Sequence, residues 1–287
     1  MPQRGFPSIS LVNASIRLLY SSLKAARIRS FSNDLLVADL NGVGWAEPTI
    51  AVQRMARAIA MHYRLAISTV VVTFRSDLSV PGRVELSNSS DFFIEIHSDH
   101  RFQPDCVAAI LTHEIAHIFL HMHRIRFEPE FQNEVLTDTA AAYLGGGIVI
   151  LNGTTETERE VDLNRIEKHS RHFGYLTVDE FGYVLAKRDI LHSRDSCRCL
   201  KRGLPKDGYR TGRRLLEAER RERPFVPRPV MDRLAHQIVR KLGRDEAQSA
   251  PMVFPCPSCS QPLRLPRSRK KLSVHCSICD SYFDCYS

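Results

Sequence analysis

The chain predicts an α+β domain with a helical extension and a small, metal-braced C-terminal module. Three observations carry this. Apolar residues recur at helical spacing in several blocks, β-branched and alternating segments lie between them, and two CxxC pairs stand near the C-terminus. At 287 residues the chain can bury one substantial core and still carry an appendage. We expect a main domain over 1–192, a basic helical or linker segment over 193–250, and the module over 251–287.

Residues 49–62, "TIAVQRMARAIAMH", set Ile50, Met55, Ala58 and Ile59 at helical spacing behind Pro48 and Thr49 as a start signal. "AISTVVVTF" (66–74) is short and β-branched, a strand. "RVELS" (83–87) and "DFFIEIH" (91–97), joined by "NSSD", read as the two strands of a hairpin. In "QPDCVAAILTHEIAHIFLHMH" (103–123), Pro104 suits a first helical turn and Asp105 the positive helix end. A second helix fits "FQNEVLTDTAAAYL" (131–144), with Gly145, Gly146 and Gly147 as its stop. After "IVILNG" the chain is polar until "GYLTVDEFGYVLAKRDIL" (174–191). There Thr177 and Glu180 have capping-box spacing ahead of a periodic apolar run. Beyond 193 the chain is basic and broken by Pro and Gly, with one amphipathic helix at 228–242 and a linker at 243–251.

Hydrophobic residues make up 43% and charged residues 25% of the chain, which fits a folded body rather than disorder. No apolar run approaches the roughly 18 residues of a membrane span, and the N-terminal apolar letters are broken by Ser and Asn. We therefore expect no membrane partner and no secretion signal. Four of the eight cysteines sit in CxxC pairs. In a chain this long that favours metal over disulfides, and hence a reducing, cytoplasmic setting. The net charge of +8 is concentrated in 197–229 and 264–271. Such stretches are most often solvated helix faces, with an anionic partner such as nucleic acid as the alternative.

"HEIAH" at 113–117 carries the chemistry. On a helix His113 and His117 project from one face about 6 Å apart in rise, so both can reach one ion. Glu114 stands about 100° round from His113, towards a water beside that ion rather than the ion itself. This is a geometry for metal-assisted hydrolysis. The water's pKa falls towards 7, the glutamate takes its proton, and the resulting hydroxide attacks a polarised carbonyl. The competing account makes His113 and His117 core residues and Glu114 a surface group.

Three candidates exist for the third ligand. His121 continues the i, i+4, i+8 row but stands about 12 Å of rise from His113, too far for one coordination sphere. His123 occupies the last position of HExxHxxGxxH, the metzincin signature, but Leu120 replaces the glycine that lets that helix turn sharply. The next methionine, Met231, is far away. His121 and His123 fit better as helix-end histidines near the negative pole. The third candidate lies in "NEVLTD", where Asn133, Glu134 and Asp138 form NExxxD, 17 residues after His117. The competing account places Glu134 and Asp138 on the wet face of a helix.

HExxH followed by NExxxD resembles the gluzincins, the thermolysin-like zinc peptidases, over residues 49–150. The resemblance implies that His113, His117 and Glu134 bind a catalytic zinc, that Glu114 is the general base, and that Asp138 supports a ligating histidine. It implies a minimal zincin fold of helix, small sheet, motif helix and ligand helix. It also implies a protein substrate bound by strand addition, for which "DFFIEIH" is placed. The intervening segment is short for that family. Its oxyanion-stabilising group is unmatched among Tyr143, His169, His172 and Tyr175.

Cys256, Cys259, Cys276 and Cys279 form CxxC-x16-CxxC, the spacing of a closed tetrahedral thiolate site for a structural zinc. The module resembles a zinc ribbon with "PLRLP" and "KLSVH" as strands, too small to fold without its metal. Arg264, Arg267, Arg269, Lys270 and Lys271 make it basic, though only Tyr282 and Phe283 offer base-stacking surface. Cys106, Cys197, Cys199 and Cys285 have no assigned role. The expectation is a cytoplasmic zinc peptidase acting on proteins, with the ribbon for recruitment. The alternative is a catalytically idle zincin that binds nucleic acid or protein through the basic segment and the ribbon.

Overall fold

The computed structural model describes residues 5–23, 25–36, 40, 45–67, 69–86, 90–162, 165–221, 252–256, 262–265, 271–276 and 281–286. The helix expected at 228–242, its linker, and both Cys259 and Cys279 lie outside these residues.

Two helices that the sequence reading did not anticipate come first, α1 (Ile9–Ser22) and α2 (Ala25–Arg29). The first buries Val12, Ile16, Leu19 and Tyr20, a stripe at helical spacing. Then α3 (Pro48–His62) starts on its proline and buries Val52, Met55 and Ile59. Ile50, placed on the core face by spacing alone, is 51% exposed.

The sheet comprises β1 (Thr69–Arg75), β2 (Gly82–Glu85) and β3 (Asp91–His97), in the order β1-β3-β2. It is mixed. Val72 of β1 pairs in parallel with Ile94, and Val84 of β2 pairs antiparallel with the same residue. The expected hairpin is present, but "DFFIEIH" is the central strand. Its backbone groups are taken on both sides, so the strand-addition role cannot fall to it; among these strands the edges belong to β1 and β2. Alternation sends Phe92, Ile94 and Ile96 into the core. The opposite face is wet, with Arg75 and Arg83 both paired to Glu95.

The motif helix α4 (Pro104–Met122) follows, apolar and buried on almost every side. His123 is its cap residue and His121 lies in its last turn. The next helix, α5 (Glu130–Ala141), runs into a wider turn at Ala142–Gly146, and the chain re-enters a helix as α6 (Gly147–Asn152). The glycine triplet is therefore a kink, not a stop. Gly145 takes φ 117°, and a Cβ there would lie 2.6 Å from His62 Nε2 and 2.7 Å from the Asn33 carbonyl. The helix resumes because Ile148, Val149, Ile150 and Leu151 are all buried. The run Glu130–Asn152 is long and apolar enough to cross a membrane, but 94% of its most apolar window is buried inside the fold.

A hairpin of β4 (Thr155–Asp162) and β5 (Arg165–Arg171), also unanticipated in a polar stretch, pairs Glu158 with Lys168. Next, α7 (Val178–His192) begins with the expected capping box of Thr177 and Glu180. In the basic segment, α8 (Leu204–Arg221) packs across α7 at Gly182, Gly208 and Gly212. C-terminally, β6 (Met252–Pro255) pairs with β7 (Pro262–Leu265), and β8 (Lys271–Cys276) pairs with β9 (Ser281–Tyr286). These are two hairpins, with Cys256 and Cys276 both buried.

Candidate metal centre

The helical spacing of α4 turns His113 and His117 to one side, and α5 crosses so that Glu134 meets them. His113 Nε2 and His117 Nε2 are 3.0 Å apart, and Glu134 Oε2 lies 3.3 Å from the first and 3.2 Å from the second. Among the described residues these three form the one group of His, Cys, Asp or Glu side chains with converging donor atoms.

The hydrogen bonds behind the rings decide what those atoms can do. His113 Nδ1 lies 2.7 Å from Asp138 Oδ1 and donates its proton there, because a carboxylate only accepts. Thr137 Oγ1 donates to the Asn133 carbonyl at 3.0 Å, so it accepts from His117 Nδ1 at 3.2 Å. With both Nδ1 atoms protonated, the lone pair of each neutral ring is left on Nε2, and both Nε2 atoms stand within 3.3 Å of Glu134 Oε2. Three electron-rich atoms within 3.3 Å of one another repel unless a cation lies among them.

The electrostatics of the site agree. Burial opposes the charged form of His113, yet Asp138, Glu134 and Glu114 outweigh it and hold its pKa well above the ordinary value. Burial raises Glu134, and the two histidines outweigh that, bringing it down to about 2. A proton or a metal ion satisfies the site. The spacing also suits a metal, since tetrahedral ligands about 2.05 Å from zinc stand about 3.3 Å apart.

Glu114 sits beside this group, buried, its carboxyl pushed up by desolvation with the histidines pulling the other way. Gly82 of β2 allows it to lie there. A Cβ at Gly82 would come within 2.4 Å of Ile110 Cγ2 and 3.0 Å of Glu114 Oε1. The group opens into a cleft of about 570 Å³ between the edge strand β2, with its flanking Val80 and Leu86, and a wall formed by residues 172–175.

Of the remaining candidates, His123 donates Nδ1–H to the Phe119 carbonyl and stacks on the Phe119 ring. Neither it nor His121 joins the converging group. Tyr143 is buried against Tyr20, away from the cleft. His169 falls opposite Thr157 in the hairpin register. His172 and Tyr175 do line the cleft. Sequence reasoning missed Thr137 and Gly82. A polar β-branched residue three positions after Glu134 was the available signal for the first, and Gly82 had none.

Matched against protein-family models, curated proteins and solved structures, the chain shows no match in any of the three comparisons.

Proposed function

We propose that the main domain is a zinc-dependent peptidase of the gluzincin kind, with a minimal zincin fold, that hydrolyses peptide bonds of a protein substrate held in extended form. The observation that supports this best is the convergence of His113 Nε2, His117 Nε2 and Glu134 Oε2 beside a buried Glu114 in an open cleft. Two imidazoles and one carboxylate form the donor set of catalytic zinc sites, which leave a fourth position open.

Zinc bound there supplies Lewis acidity, acidifying water and polarising the scissile carbonyl. Glu114 takes the proton of the attacking water and delivers it to the leaving nitrogen. Asp138 and Thr137 keep the two histidine Nδ1 atoms protonated, so their Nε2 atoms remain free to ligate. The substrate backbone adds to the outer edge of β2, taking over the role first expected of β3. His172 and Tyr175 approach it from the opposite wall. A second, structural zinc in the Cys256, Cys259, Cys276 and Cys279 ribbon, and a cytoplasmic setting, complete the proposal.

The idle, nucleic-acid-binding alternative gains less support. In α8, Arg210 is paired with Asp207 and Arg213 with Glu217, as on a solvated helix face.

Metal analysis of purified variants tests the centre: His113→Ala and Glu134→Ala lose one zinc, and His123→Ala keeps it. Glu114→Gln retains zinc and cleaves an unfolded protein such as casein at least about 100-fold more slowly than wild type. Cleavage that persists in Glu114→Gln would sink the mechanism, and zinc binding without any cleavage by wild type would favour the idle alternative.

A further inference from the structure

One carboxylate joins the metal centre to the wall across from it. Asp138 Oδ1 accepts from His113 Nδ1, while Oδ2 accepts from the backbone N–H groups of Tyr175 at 2.5 Å and Leu176 at 2.9 Å. Asp138 is fully buried. In that setting bonds to a charged acceptor are strong and an unmade one is costly. The turn that supplies the two amides fits tightly around the carboxylate. Gly174 holds φ 99°, and a Cβ there would lie 2.4 Å from Asp138 Oδ1 and 2.5 Å from Oδ2. The same segment carries His172 and Tyr175 into the cleft. Tyr175 also meets Phe131 of α5 edge-on, with ring centroids 6.1 Å apart.

Building on the metal centre proposed above, we infer that Asp138 is a positioning residue with two partners, so that loading the centre orders the wall bearing His172 and Tyr175. A metal ion held by His113, His117 and Glu134 ties α4 to α5 and stops the His113 ring from pivoting. Its Nδ1–H is then fixed on Oδ1, the carboxylate cannot rotate, and Oδ2 stays against both amides. Binding free energies couple reciprocally. Loosening the turn therefore weakens metal binding, although no residue of the turn is a ligand.

Residue-resolved amide hydrogen exchange of the full chain, with and without zinc, tests this. Zinc slows exchange at Tyr175 and Leu176 by about tenfold or more in wild type. It has no effect on them in Glu134→Ala, whose wall contacts are untouched. In a parallel calorimetric titration, Gly174→Ala binds zinc about tenfold more weakly, its fold checked by circular dichroism. If that variant does not fold, the wild-type exchange data decide.

Zinc binding that leaves Tyr175 and Leu176 unchanged overturns the coupling but not the metal centre. So does slowing that persists in Glu134→Ala, or wild-type affinity in a folded Gly174→Ala. No zinc binding by wild type overturns the centre itself, and the coupling with it.

Discussion

Thr137 and Asp138 stand side by side on α5, and each fixes one of the two rings. Asp138 does so with a full charge in a buried setting, Thr137 with a neutral oxygen that is itself committed to the Asn133 carbonyl. Thr137→Val keeps the shape and removes the acceptor. His117 then has nothing to hold its Nδ1 proton, the other tautomer becomes accessible, and zinc affinity falls by about tenfold. Competition with a chelator measures this, and an unchanged affinity would show that the Thr137 contact does not set the tautomer. The residues that the structure brings together were legible in the sequence because each pair lies within one short helical window: His113 with His117, Glu134 with Asp138. Thr137, Gly82 and Gly174 were not, because their importance comes from what a remote segment places against them. Gly174 matters through a carboxylate 36 positions earlier, and Gly82 through Ile110 and Glu114.

Elements were readable where the signal was local. Pro104 opens α4 and the Thr177–Glu180 box opens α7, as their spacing required. The errors arose where a local signal had two physical outcomes. A glycine run ends a helix if solvent follows, but kinks it if four apolar residues follow that the core can bury, as Ile148 to Leu151 show. Polar alternation in 155–171 gave no apolar face to mark a strand, yet it pairs as a hairpin. The α7–α8 crossing is a third case, since its glycines could be read only as breakers of helix. A Cβ at Gly212 would lie 2.1 Å from the Tyr183 nitrogen. On an isolated helix Gly212→Ala would add stability, by about 1 kcal/mol. Here it forces the helices apart, and we expect a net loss of about 2 kcal/mol. Chemical denaturation gives the sign directly, and a gain in stability would contradict the close crossing.

At the scale of the whole molecule, long-range polar ties join the N-terminal segment to α7. Arg188, with its side chain almost wholly buried, donates to the Phe31 and Asn33 carbonyls and pairs with Asp34. Beside it, burial lowers the His192 pKa to about 4, with Arg188 and Arg194 adding to the shift and Asp34 opposing it. The unfolded chain takes up this proton near pH 6.5, whereas the folded one does not until near 4. The penalty is therefore absent at neutral pH, grows as pH falls from about 6.5 to about 4, and then levels off. We expect it to reach no more than about 3 kcal/mol. Melting temperatures across that range, compared between wild type and His192→Gln, check it: the variant should lose less. The α+β class and a small sheet were legible in composition and periodicity. The strand order was not, because a parallel β1–β3 pairing carries no turn signature.

The start of α7 is closed by residues from the other end of the domain. Thr177 donates to the Gly5 carbonyl and the Ser8 amide donates to Glu180, each across 172 positions of chain. A ribosome delivers the first half of this junction long before the second. The first helix can therefore pack on α5 as soon as that element emerges, but its tie to the start of α7 must wait until residue 180 has cleared the exit tunnel. Closure of the domain is then a late event in synthesis, later than the meeting of α4 and α5 that brings His113, His117 and Glu134 together.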